Sequence, residues 1–382
     1  MRVDYNVPLD AAKNVTDDTR IRMSLPSVRK ILDDGGKLVL MSHLGRPKGK
    51  VNPDLSLKPV ADRLSQLLGK QVFFFPELIG DNTRKVIETM KDGEVLLLEN
   101  IRFYPGEEKG DEAFAEKLAS LGDFYVNDAF GTAHRAHVST TVLAKHFPGA
   151  KAFGFLMENE VVNLEKVLNS DEHPYTAIIG GAKVSTKIDI IRNLIDKVDN
   201  MIIGGGMVFT FVKALGGNIG SSLFEEDKVE EARETLLEMI RRGVNVILPT
   251  DVVAADKFAD DANKKIISSG NIPEGWMGLD IGPQSIAKAT KTILDSSMVL
   301  WNGPMGVFEM SSYQKGTKAI AVAVASMTNA GGYSAIGGGD SVAAINKYSL
   351  ADMMSYVSTG GGAMLEYIEG KTLPGIAAVL DS

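Results

Sequence analysis

Short apolar runs alternate with segments of helical periodicity along most of the 382-residue chain. Leu38–Met41, Val72–Phe75, Val95–Leu98 and Phe124–Val126 have strand length, and Leu57–Leu68 repeats its apolar positions at helical spacing. Apolar runs of this kind predict strands buried on both faces, that is, a parallel sheet covered by helices. The rhythm restarts after Pro174 with Thr176–Ile179, Met201–Ile203, Val244–Leu248, Met298–Leu300 and Tyr333–Ile336, among them amphipathic stretches such as Glu225–Arg242 and Tyr313–Met327. Between the halves, Leu156, Val161, Leu164, Val167 and Leu168 recur at helical spacing, which predicts a connecting helix. The expected fold is α/β, with two domains and a cleft between them.

Length agrees, since domains usually hold ~100–200 residues. A formal charge of −8 disfavours a general binder of nucleic acid or anionic membrane. The absence of cysteine excludes disulfides, thiolate catalysis and Cys-ligated zinc, and fits a reducing, cytoplasmic setting. The first residues show no basic and then apolar leader, and no uncharged apolar stretch reaches the ~18 residues of a membrane span. Asn14-Val15-Thr16 is therefore read as a chance match to a glycosylation acceptor.

Charge type is uneven. Nine of thirteen arginines and four of five histidines precede residue 150, so a local anion site is expected there. An arginine fork pairs bidentately with phosphate or carboxylate, whereas lysine is a mobile point charge. Arg46, Arg102 and Arg135 sit just after predicted strands or in loops, where open α/β sheets bind ligands. Arg22, Arg29, Arg63 and Arg84 fall in helical patterns and are read as solvated. His134 and His137 lack a third ligand at zinc spacing, so a phosphate-binding or structural role is expected of them.

The second half carries three glycine triplets, Gly204–Gly206, Gly337–Gly339 and Gly360–Gly362, the first two directly after apolar runs. Glycine lets backbone amides face a phosphate, and a following helix adds the positive end of its dipole. With Lys183 and Lys187 nearby, the triplets favour a nucleotide site over mere tight turns. Gly370-Lys371-Thr372 resembles the end of a phosphate-binding loop, but Leu365 stands where that motif needs glycine. No intact dinucleotide fingerprint is present, which argues against a dehydrogenase. Asp340, directly after a triplet, can hold Mg²⁺ against phosphates or cap a helix.

The segments Arg2–Pro8, Ser42–Gly49, Glu99–Phe103, Ala129–Thr140, Gly180–Lys187, Gly204–Phe211, Trp301–Glu309, Gly337–Ser341 and Ser358–Leu365 together resemble the phosphoglycerate kinase family, in its order and over nearly the whole chain. The resemblance implies two Rossmann-like three-layer domains. Residues 1–155 would bind 3-phosphoglycerate or 1,3-bisphosphoglycerate, 156–170 would connect, 171–370 would bind ADP or ATP, and 371–382 would form a tail. It implies that Asp4, Asn6, Arg20, His43, Arg46, Arg102 and Arg135 hold the phosphoglycerate. Lys183, Lys187, Gly204, Gly205, Gly206, Asn302, Pro304, Gly306, Val307, Phe308, Gly337, Gly338, Gly339 and Ser341 would serve the nucleotide, Glu309 its ribose, and Asp340 the Mg²⁺.

Neither acceptor, an ADP oxygen or an ionised carboxylate, needs a catalytic base, so catalysis reduces to alignment and charge neutralisation. Arg20 and Lys187 would bracket the transferring group on hinge closure, and the amides of Gly339 and Gly362 would assist. A monomer without nucleic-acid or membrane partners is implied. One departure stands out: the family carries residues before the segment matching Arg2–Pro8. A short first strand would loosen the N-terminal site, and the alternative expectation is a nucleotide-binding scaffold with impaired turnover.

Overall fold

The apolar runs pair as parallel strands in two separate sheets. A computed structural model of the chain describes residues 1–77 and 79–381, and it divides into one unit of Met1–Val162 with Thr372–Ser382 and another of Asn163–Lys371. The first unit contains β1 (Arg2–Val3), β2 (Leu38–Leu40), β3 (Val72–Phe75), β4 (Val95–Leu98), β5 (Tyr125–Asp128) and β6 (Lys151–Phe153). β3, β4 and β2 pair in parallel, as do β1, β5 and β6. A parallel bridge between Arg2 and Met41 joins the two ribbons, giving the order β3-β4-β2-β1-β5-β6. Along β4, Val95 and Leu97 enter one apolar cluster with Val3 and Leu40, while Leu96 and Leu98 enter another with Phe75 and Tyr125. Both faces of the sheet are thus buried, which is why its strands are apolar throughout.

The second unit holds β7 (Tyr175–Ile179), β8 (Asn200–Ile203), β9 (Asn218–Ile219), β10 (Asn245–Ile247), β11 (Asp251–Ala255), β12 (Lys264–Ser268), β13 (Asn271–Ile272), β14 (Met277–Ile281), β15 (Met298–Asn302), β16 (Tyr333–Gly337) and β17 (Tyr356–Val357). Its main sheet is parallel in the order β10-β8-β7-β15-β16-β17. Ile178, Ile202, Val299, Trp301 and Ile336 build the core on one face. β11, β12 and β14 form a further antiparallel sheet that the apolar pattern did not predict. β12 reads Lys-Lys-Ile-Ile-Ser and is largely exposed, so it carries no buried apolar run.

Helix boundaries follow local chemistry. Lys58–Leu68 has Pro59 in its first turn and ends on Gly69 in the left-handed region at φ 65°. Glu112–Ala119 begins where the Asp111 side chain accepts the Phe114 N–H. The helix Phe155–Leu168 starts with the Phe155 N–H on Ser27 Oγ at 2.8 Å and the Met157 N–H on Asp128 Oδ1 at 3.1 Å. The last residues are more than a tail: Pro374–Leu380 is a helix of the first unit, where the Gly375 N–H reaches Ala133 O and Lys151 Nζ reaches Ala378 O.

Candidate active site

In the first unit, Asp4 and Asn6 follow β1, His43 and Arg46 follow β2, Arg102 follows β4, and Arg135 follows β5. They therefore gather at the carboxyl ends of parallel strands, the usual ligand crevice of such sheets. Arg20, in the first turn of the helix Thr19–Asp33, gives Asp4 Oδ2 a hydrogen bond of 2.8 Å. Asn6 Oδ1 accepts the Gly45 N–H at 2.9 Å, and Arg102 donates to Gly45 O at 2.9 Å, so the loop that carries Arg46 is tied from both sides.

The cations are only partly compensated. Arg102 is 3% exposed, and burial pushes its pKa down to about 10, with Arg2 and Arg135 adding repulsion against the pull of Glu108. Its Nε lies 3.3 Å from Glu108 Oε1, yet it has no aligned hydrogen bond among the described residues. His137 Nδ1 is also buried without a partner there, and burial followed by Arg102 and Arg135 pushes its pKa down to about 4. Excess positive charge with an unspent donor on Arg102 suits a small polyanion. Of the helical arginines, Arg22 and Arg84 are exposed and pair with Asp18 and Glu88, whereas Arg63 is half-buried against Asp18 rather than free in solvent.

In the second unit the carboxyl ends of β7, β8, β15 and β16 meet. Gly180 N–H donates to Asn302 O, Gly181 N–H to Pro304 O, and Gly205 N–H to Met305 O. Gly303, at φ 97°, would place a Cβ 2.2 Å from Gly180 O. Gly205, at φ 69°, would place one 2.4 Å from Gly181 O, so only glycine allows these loops to interlock.

Beside them lies a cavity of about 450 Å³ whose walls include Gly205, Gly206, Pro304, Gly306, Val307, Glu309 and Asp340. Its apolar wall comes from Phe209, Leu223, Val252 and Leu279, which the sequence reading did not single out. A polar, glycine-rich side and an apolar side suit a nucleotide's phosphates and base. Gly204, Asn302, Phe308 and Ser341 stand behind this wall. A Cβ on Gly204 would strike Met305, Asn302 Nδ2 binds Gly337 O at 2.7 Å, Ser341 Oγ accepts the Gly303 N–H at 2.6 Å, and Phe308 O accepts from Lys347.

Lys183 and Lys187 flank the short turn Val184–Thr186. Lys183 is exposed, whereas Lys187 donates to Asn302 Oδ1 and burial lowers its pKa despite the attraction of Asp340 and Glu369. Gly339 opens the helix Gly339–Lys347, with Asp340 exposed in its first turn, and Gly362 opens the helix Gly362–Ile368. The end of β16 packs against the second of these helices, because a Cβ on Gly337 would meet Met364 Sδ. Lys371 of the phosphate-loop look-alike is spent on Glu369 at 2.6 Å.

No group of three metal-type side chains occurs among the described residues. Asp340, exposed beside the cavity, fits a hard cation that takes its other ligands from phosphate oxygens and water, as Mg²⁺ does.

Parallel α/β units, an arginine-lined anion site and a glycine-floored cavity of nucleotide size define a phosphotransferase of small anions. The profile of the family described as phosphoglycerate kinase matches residues 1–371. The chain is 54% identical over 379 residues to the phosphoglycerate kinase of Nostoc sp., covering 99% of this chain and 94% of that one. It is 52% identical over 379 residues to the cytosolic phosphoglycerate kinase 3 of Arabidopsis thaliana, with 99% and 94% covered. Among solved structures, phosphoglycerate kinase from Coxiella burnetii superposes with a TM-score of 0.90 at 39% identity, over 99% of this chain and 95% of that one. The enzyme from Pyrococcus horikoshii gives 0.83 at 30%, with the same coverage. The chain belongs to the phosphoglycerate kinase family.

Proposed function

We propose that the protein catalyses reversible phosphoryl transfer from 1,3-bisphosphoglycerate to ADP, giving 3-phosphoglycerate and ATP. The observation that carries this is the pair of sites: an arginine cluster with the buried Arg102 Nε lacking an aligned acceptor on one unit, and a glycine-lined cavity with Lys187 and Asp340 beside it on the other. Asp4, Asn6, Arg20, His43, Arg46, Arg102 and Arg135 hold the phosphoglycerate. Arginine forks suit its carboxylate and phosphate, and Asp4 and Asn6 orient Arg20 and the Gly45 loop.

The nucleotide occupies the cavity, with Glu309 toward the ribose and the Gly337–Gly339 and Gly360–Gly362 amides toward phosphate. Mg²⁺, held by Asp340, supplies charge neutralisation on the nucleotide phosphates when bound. No residue need take a proton, since the acceptor oxygens are already ionised; the protein's work is alignment and electrostatics. Lys187 and Arg20 supply the positive charge on either side of the transferring group. Among the described residues no helix is long and apolar enough to cross a membrane; the small-molecule substrates and a cytosolic relative support a cytoplasmic enzyme, and we assign it as a monomer.

Lys187→Ala tests the assignment. The exchange removes a half-buried cation bonded to Asn302, so turnover is expected to fall by about 10² or more while the far-ultraviolet spectrum and unfolding midpoint stay near those of the parent. Unchanged turnover would reject the role of Lys187.

A further inference from the structure

Arg2 is fully buried and lies against His43. Its Nη2 lies 3.1 Å from His43 Nδ1, its Nε donates to Ser139 Oγ at 2.9 Å, and its Nη1 donates to Val3 O. Ser139 in turn donates its hydroxyl to Glu107 Oε1 at 2.6 Å and its N–H to Glu107 Oε2 at 3.1 Å. Glu107 and Ser139 are buried too, at 1% and 0% exposure, so the guanidinium has its orientation set on one side by a fixed anchor and on the other by the imidazole.

A guanidinium has donors only, so the contact with His43 is a hydrogen bond only if Nδ1 is the acceptor. A neutral imidazole with an accepting Nδ1 carries its proton on Nε2. The competing arrangement would put a proton on Nδ1 toward Asp4, but Asp4 Oδ1 is 3.8 Å away, beyond hydrogen-bond range, and Asp4 is already bound to Arg20. Double protonation is opposed by burial and by Arg2, Arg102, Arg20 and Arg135, which together hold the His43 pKa well below its ordinary value.

We propose that Arg2 is a positioning residue that fixes His43 as a neutral imidazole with its proton on Nε2, a pre-aimed hydrogen-bond donor for an anionic oxygen of the phosphoglycerate. The proposal rests on the reading of His43 as a substrate ligand. Its consequence is that affinity for the small anion depends on a residue that need not touch it. A neutral donor adds direction at a point where the surrounding arginines already supply the charge.

The test is long-range ¹H–¹⁵N correlation on the full chain labelled at histidine, at neutral pH, with the His43→Gln spectrum assigning the resonances. The expected spectrum shows His43 with an unprotonated Nδ1 and a protonated Nε2. A protonated Nδ1, alone or with Nε2, overturns the proposal. Arg2→Met is expected to give mixed tautomers and to raise KM for 3-phosphoglycerate about tenfold, with a much smaller change in kcat, as loss of one aligned hydrogen bond would do. Arg2→Lys, still a pure donor, is expected to restore much of the Nε2–H form; an Arg2→Met protein with the parent's tautomer overturns the proposal.

Should Arg2→Met not fold, Ser139→Ala, which removes the Nε anchor, is expected to mix the tautomers, and an unaltered His43 there contradicts it. Adding 3-phosphoglycerate is expected to move the Nε2 resonance. A fixed tautomer that ignores the ligand would instead refute the placement of the substrate at His43.

Discussion

Asp280 lines the cavity of the second unit, 4% exposed, accepting N–H groups from Gly316 at 2.8 Å and Ile281 at 2.9 Å. Burial outweighs those bonds and pushes its pKa up to about 7. A carboxyl whose pKa is raised by folding binds more protons in the native state. Its stabilising contribution is complete below the unfolded pKa of about 3.9 and is lost as pH rises through the folded value near 7. Asp280→Asn should remove that dependence. The stability gap between the parent and the variant is expected to shift against the parent by up to about 1.4 kcal/mol per pH unit between about pH 4 and 7. Urea unfolding across that range checks it, and a gap independent of pH would contradict the assignment.

Residues of this kind were not legible in the sequence. Asp280 lies in a Met-Gly-Leu-Asp-Ile run without visible partners, and Arg2, Glu107 and Ser139 are 137 or fewer positions apart but meet only in the fold. Arg46, Arg102 and Arg135 were legible because each follows an apolar strand. Arg20 was legible only through the family resemblance, since its place is a helix start rather than a strand end.

At the scale of elements, the glycine loops join β7, β8 and β15 by backbone contacts too close for any Cβ. Gly303→Ala would need both a left-handed alanine and about an ångström or more of retreat by Gly180. We expect it to destabilise the second unit by more than about 2 kcal/mol and to weaken ATP binding, measured as a lower denaturation midpoint and a higher Kd from titration calorimetry. An alanine variant of parental stability and affinity would show that the interlock is dispensable.

The parallel strands were readable because burial on both faces writes a continuous apolar run into each, as in Val95–Leu98. The antiparallel sheet was not: β11 is Asp-Val-Val-Ala-Ala and β12 begins with two lysines, and it is pairing with β14 that makes them a sheet. That sheet contributes Val252, Met277 and Leu279 to the cavity, so the apolar side of the cavity was hidden with it. The final helix was missed because Pro374–Leu380 is short and is held by contacts with residues more than 200 positions earlier.

For the whole molecule, the two sites lie on separate units, each with its own sheet and core. Transfer between acceptor oxygens that are already ionised asks for no proton abstraction. A reader of the sequence could see two α/β units, cation-rich first and glycine-rich second, because those features are compositional. The family segments then gave the chemistry, and the profile match over residues 1–371 agrees.

The most direct measurement is ATP consumption by the purified protein with 3-phosphoglycerate and Mg²⁺, coupled to reduction of the 1,3-bisphosphoglycerate formed. Turnover is expected to need all three components and to disappear when any one is withheld. Folded protein that binds ATP yet transfers no phosphate to 3-phosphoglycerate would contradict it.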